Sequence, residues 1–213
     1  MNIAIYGAGG FGKEVACLIK RINEHGGDWN LIGFFDDTKP AGTPVSRYGH
    51  VLGGMEMIEQ VNEPLAVTIA INDNKVVRRI REHITNPHVT FPNLIDPSLF
   101  LVDKETVSMG EGNIIQNGCM ISCDVTIGNF NLINDHVVVG HDNIIGDFNG
   151  LMPGAHLSGG ITIGNSNLLG VASVVLQGMT IGNGVTLGAN SVLMTQPRDN
   201  STYLGVPARR FDY

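Results

Sequence analysis

His141 and Asp142 stand side by side in VVVGHDNIIGDF (137–148), a stretch otherwise made mostly of aliphatic residues and glycine. An imidazole beside a carboxylate suits general-base chemistry. The carboxylate orients the ring and favours its protonated form, while the second nitrogen takes a proton from an attacking group. A solvated turn histidine is the plain alternative. A second constellation lies near the N-terminus, where Gly7, Gly9 and Gly12, with Gly10 and Phe11 between them, form GxGxxG ahead of Asp36 and Asp37. Such loops hold a pyrophosphate on backbone N–H groups at a helix N-terminus, with an acid downstream near the ribose. Glycines that serve only a tight strand-to-helix turn are the alternative there.

The elements around the glycine loop alternate between two periods. NIAIY (2–6) reads as a buried strand, FGKEVACLIKRI (11–22) as an amphipathic helix, and LIGFFDD (31–37) as a second strand. LAVTIAI (65–71) reads as a third strand, followed by a helix through VVRRIREHI. This is the βαβ pattern of a parallel sheet. TKPAGTPVSRYGHVLGG reads as a surface loop ahead of a short helix near Met55 to Gln60. AINDN (70–74), with Asn72 and Asp73, ends the third strand, where it can line the same crevice as the glycines.

From about residue 105 the period becomes six. Aliphatic residues or Met recur from Met109 through Ile115, Ile121, Ile127, Ile133, Val139 and Ile145 to Leu193 without interruption, and many are followed directly by glycine. This is a hexapeptide repeat. Each hexad is one short strand plus a turn, three hexads close a triangular coil, and inward residues 18 apart stack at about 4.8 Å. Small or polar residues two places before the aliphatic ones, such as Asn131, Asn143, Asn149, Ala155, Asn167, Ser173 and Ser191, suit corners and hydrogen-bond ladders. His141 and Asp142 follow inward Val139 by two and three places, which puts both at a corner and facing outward. Gly159 takes the same corner one coil later, so its amide can hold the oxyanion of a tetrahedral intermediate beside the base.

Through GAGGFGKEV, FFDD, AINDN, LIDPS, GHDNIIGDF, PGAHLSGGITIG and YLGVPARR the chain resembles the left-handed β-helix acyltransferases, in the NeuD/PglD-like branch that acetylates sugars. The resemblance implies an α/β Rossmann-like domain over residues 1–100 that binds a nucleotide sugar, and an all-β left-handed parallel β-helix with a C-terminal tail over 101–213. It implies acetyl-CoA as co-substrate without a metal, His141 as general base, and a homotrimer with active sites between adjacent subunits. Nucleotide contacts are expected at Gly7, Gly9, Gly10, Phe11, Gly12, Asp36, Asp37, Asn72 and Asp73. Acetyl-CoA contacts are expected at Gly159, Val171, Ala189, Gly205, Pro207 and Arg209, and the register places Val171 and Ala189 on one corner. A solvated basic tail is the alternative for Arg209 and Arg210. The expected acceptor is the amine of a nucleotide-linked 4-amino-4,6-dideoxyhexose in surface-glycan biosynthesis. O-acetylation of a sialic acid or another sugar is the alternative.

Two departures and a rival accompany the resemblance. Phe11 stands where some relatives have His, and Asn149, Gly150, Leu151 and Met152 lie where many have a second histidine. The spacing of His136 and His141 is shared with the zinc histidines of γ-class carbonic anhydrases, but the third ligand would fall on Phe100 here, and His156 takes a surface place. A non-catalytic trimer that binds sugar nucleotides is a further alternative.

Composition removes other classes. The chain has 213 residues, 43% hydrophobic content and a net charge of −7. It offers no broad basic surface for nucleic acid or anionic lipid. No apolar run reaches the length of about 18 residues that a bilayer span needs, and MNIAIYGAGG is interrupted too early for a signal peptide. The expectation is a cytoplasmic protein with neither a nucleic acid nor a membrane partner. Cys17, Cys119 and Cys123 are an odd number without CxxC and read as buried thiols.

Overall fold

The computed structural model describes residues 1–211 and divides into two compact units, Met1–Pro97 and Ser98–Tyr213. In the first unit, β1 (Asn2–Tyr6), α1 (Gly10–Glu24), β2 (Asn30–Phe35), β3 (Val51–Gly53), α2 (Met55–Glu59), β4 (Leu65–Ile69), α3 (Asn74–His83) and β5 (Val89–Thr90) follow in order. The strands pair in parallel in the order β3-β2-β1-β4-β5. The apolar runs explain the centre of this sheet: Ile3, Ala4 and Ile5 of β1 are fully buried, and Val15, Ala16, Leu18 and Ile19 form the buried face of α1. The strand order reverses between β1 and β4, and α1 and α3 begin on that edge. Ligand crevices of open α/β sheets lie at this switch point.

Three sequence expectations need correction. The supposed surface loop 38–54 contains β3, an edge strand of three residues. β5 was not expected, because two residues carry no readable alternation. β2 ends at Phe35, so Asp36 and Asp37 lie just beyond the strand. The thiols also differ: Cys119 is buried, Cys123 is half-buried and Cys17 is exposed.

The second unit is a left-handed parallel β-helix with three faces. On the first face, Ile121 pairs with Val139, Val139 with Leu157, Leu157 with Val175, and Val175 with Leu193. On the second, Ile127, Ile145, Ile163 and Ile181 stack, and on the third Ile133, Leu151, Leu169 and Leu187. Each of these side chains is at most 2% exposed. Neighbouring coils therefore supply the cover that one coil lacks.

The corners follow the same period. One residue per hexad takes a left-handed backbone conformation, including Asp124, Phe130, His136, Asp142 and Phe148. Between the second and third faces two asparagine ladders satisfy the turn amides. In the inner ladder, Asn131 Oδ1 accepts from the N–H of Asn149 at 2.8 Å, and Asn149 Oδ1 accepts from the N–H of Asn167 at 2.9 Å. In the outer ladder, Asp147 Oδ1 accepts from the Asn129 N–H and Asn165 Oδ1 from the Asp147 N–H, both at 2.7 Å. Asn149 is thus a coil-to-coil strut, and it, Gly150 and Leu151 are all buried.

The C-terminal segment is not a solvated tail. Thr202–Leu204 adds in parallel to Thr186–Leu187, and Arg209–Phe211 folds back antiparallel to it. Gly205 N–H donates to Ser191 Oγ at 2.8 Å, fixing the turn between the two strands.

Candidate active site

The corner between the first and second faces stacks Cys123, His141, Gly159 and Gln177 at intervals of one coil, because each follows its inward aliphatic residue by two places. His141 and Asp142 are both exposed there. Asp142 takes the left-handed position, φ 57°, which turns its carboxylate back to the preceding ring. His141 Nδ1 lies 2.6 Å from Asp142 Oδ2. With Nδ1–H donating to that oxygen, Nε2 keeps its lone pair for a proton. The ring projects over Gly159, where an added Cβ would lie 2.5 Å from both Cε1 and Nε2.

Around the Gly159 corner, Ser158 N–H donates to Val175 O and Gly160 N–H to His141 O. The Gly159 N–H has no hydrogen-bond partner among the described residues. The amides of Val171 and Ala189 share this property at the corner between the third and first faces, where Val171 is 48% exposed. Three amides without a protein partner and one imidazole thus arise from the coil register, with Gly159 buried and Val171 and Ala189 exposed. Gly205, Val206, Pro207 and Arg209 are exposed on the terminal hairpin. Among the described residues no group of three or more His, Cys, Asp or Glu could hold a metal ion. Phe100, at the third zinc position, pairs with Met120 on the outer first face.

The first unit holds a cavity of about 690 Å³ at the switch point of its sheet. Of the residues expected to contact a nucleotide, Gly7, Gly9, Gly10, Phe11, Asp36, Asp37 and Asn72 line it. Gly12 and Asp73 do not. A Cβ on Gly12 would run into the Gly7 carbonyl, so Gly12 serves the close strand-to-helix packing. Asp73 caps α3, accepting from Lys75 N–H at 2.9 Å and Val76 N–H at 3.3 Å.

The two acids are held in place by protein donors. Asp36 Oδ2 accepts from the Ala8 N–H at 2.9 Å, and its Oδ1 accepts from the Thr38 N–H and hydroxyl at 2.9 and 2.6 Å. Burial pushes the Asp36 carboxyl up, but bonds from Thr38 and Ala8 and the nearby Lys39 charge outweigh it and hold the group below its ordinary value. Lys39 also donates to the Ala8 carbonyl. Asp37 accepts from the Tyr6 hydroxyl and from the Met55 N–H. Burial first, then the hydrogen bond to Asp37 and its charge, push the Tyr6 phenol well up, so Tyr6 remains a donor.

Sequence reading missed Tyr6, Thr38, Met55 and the α3 face of Val76, Arg79, Ile80 and His83. The helical spacing of the last four was a usable signal, since steps of three and four share one face. Tyr6 and Met55 carried none.

Residues 2–84 match the PglD N-terminal domain family. No curated protein matches the chain. Among solved structures, the acetyltransferase domain of PglB from Neisseria gonorrhoeae FA1090, in complex with acetyl coenzyme A, is 28% identical with a TM-score of 0.88, covering 99% of this chain and 98% of that one. WeeI from Acinetobacter baumannii AYE is 28% identical with a TM-score of 0.89, covering 99% of this chain and 100% of that one. A His→Asn variant of perosamine N-acetyltransferase from Caulobacter crescentus, in complex with CoA and GDP-perosamine, is 28% identical with a TM-score of 0.82, covering 100% and 98%. With the repeat, the corner His–Asp pair and the glycine-loop cavity all present, the chain is similar over nearly its whole length to the acetyltransferase domain of PglB and to perosamine N-acetyltransferase.

Proposed function

We propose that this protein transfers the acetyl group of acetyl-CoA to the amine of a nucleotide-linked amino sugar, most specifically a 4-amino-4,6-dideoxyhexose. The observation that carries the reading is the corner geometry: Nδ1 of His141 is tied to Asp142 at 2.6 Å and the ring lies against Gly159. The sugar amine attacks the thioester carbonyl, and His141 Nε2 takes the proton that the new C–N bond makes acidic. The oxyanion of the tetrahedral intermediate accepts from the Gly159 N–H. Collapse breaks the C–S bond, and the imidazolium returns its proton to the departing CoA thiolate. Asp142 fixes the tautomer and stabilises the transient imidazolium.

One substrate accounts for both units. A nucleotide sugar brings a nucleotide, for which the first unit offers a glycine-loop cavity, and an amine, for which the second offers a base. The pantetheine arm follows the outward amides of Val171 and Ala189, and Gly205, Pro207 and Arg209 lie toward the adenine end. An amine suits this site better than a hydroxyl because it needs no prior deprotonation to attack, and one histidine beside a carboxylate suffices.

A homotrimer completes the reading. The outer first face presents Phe100, Met120, Val138, His156, Val174 and Val192 in register, apolar at every place but His156, with Phe100 60% exposed. Such a flat apolar face suits a second and third prism of the same chain. Sedimentation equilibrium tests assembly, and thiol release from acetyl-CoA with nucleotide 4-amino sugars tests the reaction. A monomer would remove the shared site, and absence of thiol release across UDP-, dTDP- and GDP-linked amines would contradict the activity.

A further inference from the structure

The cavity of the first unit has an unusual charge arrangement for a site that receives a diphosphate. Asp36 and Asp37 line it, and Arg79 is the one permanently cationic side chain lining it among the described residues. Both acids already serve as framework. Asp36 joins the glycine loop at Ala8 to Thr38, and Asp37 joins β1 at Tyr6 to the start of α2 at Met55. The exposed Arg79 guanidinium has no hydrogen-bond or ion-pair partner among the described residues. It lines the same cavity as Tyr6 and Asp37.

The start of α1 lines the same cavity. Gly9 caps the helix with no side-chain hydrogen bond, and Gly9 and Gly10 have open space on their Cβ side. The first amides of a helix lack intrahelical partners, so these donors are available to a ligand in the cavity. Their dipole is worth only a fraction of a charge. A diphosphate entering beside two carboxylates meets repulsion that Lys39, 3.7 Å from Asp36 Oδ2, offsets only in part.

We infer that Arg79 reads the diphosphate of the nucleotide sugar together with the α1 amides, offsetting the two framework carboxylates. This rests on the nucleotide-sugar reading above. A guanidinium offers paired donors to phosphate oxygens as well as charge, whereas Lys offers a point charge. Arg79 is therefore a binding residue for the substrate's non-reacting part. Asp36 and Asp37 shape the cavity.

Calorimetric titration of wild type, Arg79→Ala and Arg79→Lys with UDP, dTDP and GDP tests this, with acetyl-CoA as the control ligand and thermal melting as the fold control. For whichever diphosphate binds wild type, Arg79→Ala is expected to raise Kd by about 10- to 100-fold, with a shallower salt dependence and partial recovery in Arg79→Lys. Acetyl-CoA affinity and Tm should stay unchanged. Diphosphate binding by Arg79→Ala within about twofold of wild type, equivalent to a few tenths of a kcal/mol, would overturn the Arg79 assignment and leave the nucleotide reading standing. Failure of wild type to bind any of the three would overturn both.

Discussion

The imidazole of His141 occupies the space in which a side chain on Gly159 would stand, with Nε2 only 2.5 Å from the position of an added Cβ. The proposed general base and the proposed oxyanion donor are therefore one steric unit. Gly159 is not among the left-handed positions, so alanine is acceptable to its backbone and objectionable only to the histidine ring. Gly159→Ala should leave Tm nearly unchanged while lowering kcat by about 10- to 100-fold through displacement of Nε2. Thermal melting and steady-state kinetics on the same sample check this. Normal kcat would show that the ring position is not used in turnover.

Asp142 offers a clean substitution because Asn also tolerates the left-handed conformation that this residue adopts, φ 57°. Asp142→Asn should keep the fold and lower kcat less than His141→Asn does. His141→Asn should cost roughly 10²- to 10⁴-fold if general-base catalysis is lost. The comparison is made at saturating acetyl-CoA. An Asp142→Asn loss exceeding that of His141→Asn would assign the proton to the wrong residue.

The asparagine ladder carries a stability prediction. Asn149 is 1% exposed, donates to Asn131 Oδ1 and the Gly164 carbonyl, and accepts from the N–H and side chain of Asn167. Asn149→Ala leaves several buried groups without partners, at a cost of about 3 kcal/mol. Urea denaturation followed by far-UV circular dichroism measures it. A midpoint equal to wild type would mean that water replaces the strut.

Asp36 gives a pH prediction. Its folded pKa is lowered, so its contribution to stability is fully present above the unfolded value of about 3.9 and is lost as pH falls through the folded value. Asp36→Asn cannot lose that contribution, so its stability should change less than that of wild type between about pH 5 and pH 2. Urea midpoints across this range, read on Trp29 fluorescence in the first unit, make the comparison. Equal slopes would contradict the role of this carboxylate in holding the glycine loop.

Much of this molecule was legible because it is repetitive. A hexad that recurs from Met109 to Leu193 repeats its own register, so the corner shared by His141 and Gly159 followed from counting. The central strands were equally readable, since Ile3 and Ile5 announce a buried run. β3 and β5 were not, because two or three residues at a sheet edge carry no period. The bonds that tie Asp36 to Ala8 and Asp37 to Tyr6 and Met55 join residues 18 to 31 apart, and sequence gives the acids without these distant donors. The C-terminal hairpin occurs once, outside the repeat, and its charged strand looks like a tail until Tyr203 is seen buried.

The most direct measurement is the ratio of kcat/KM for a nucleotide-linked 4-amino-4,6-dideoxyhexose to that for its 4-hydroxy counterpart, with free sialic acid as a third acceptor and the product identified by mass spectrometry. An N-acetyltransferase that relies on one histidine at a solenoid corner should prefer the amine by at least about 10²-fold, the lower range of general-base assistance. Greater kcat/KM for either hydroxyl acceptor would contradict N-acetylation and identify an O-acetyltransferase.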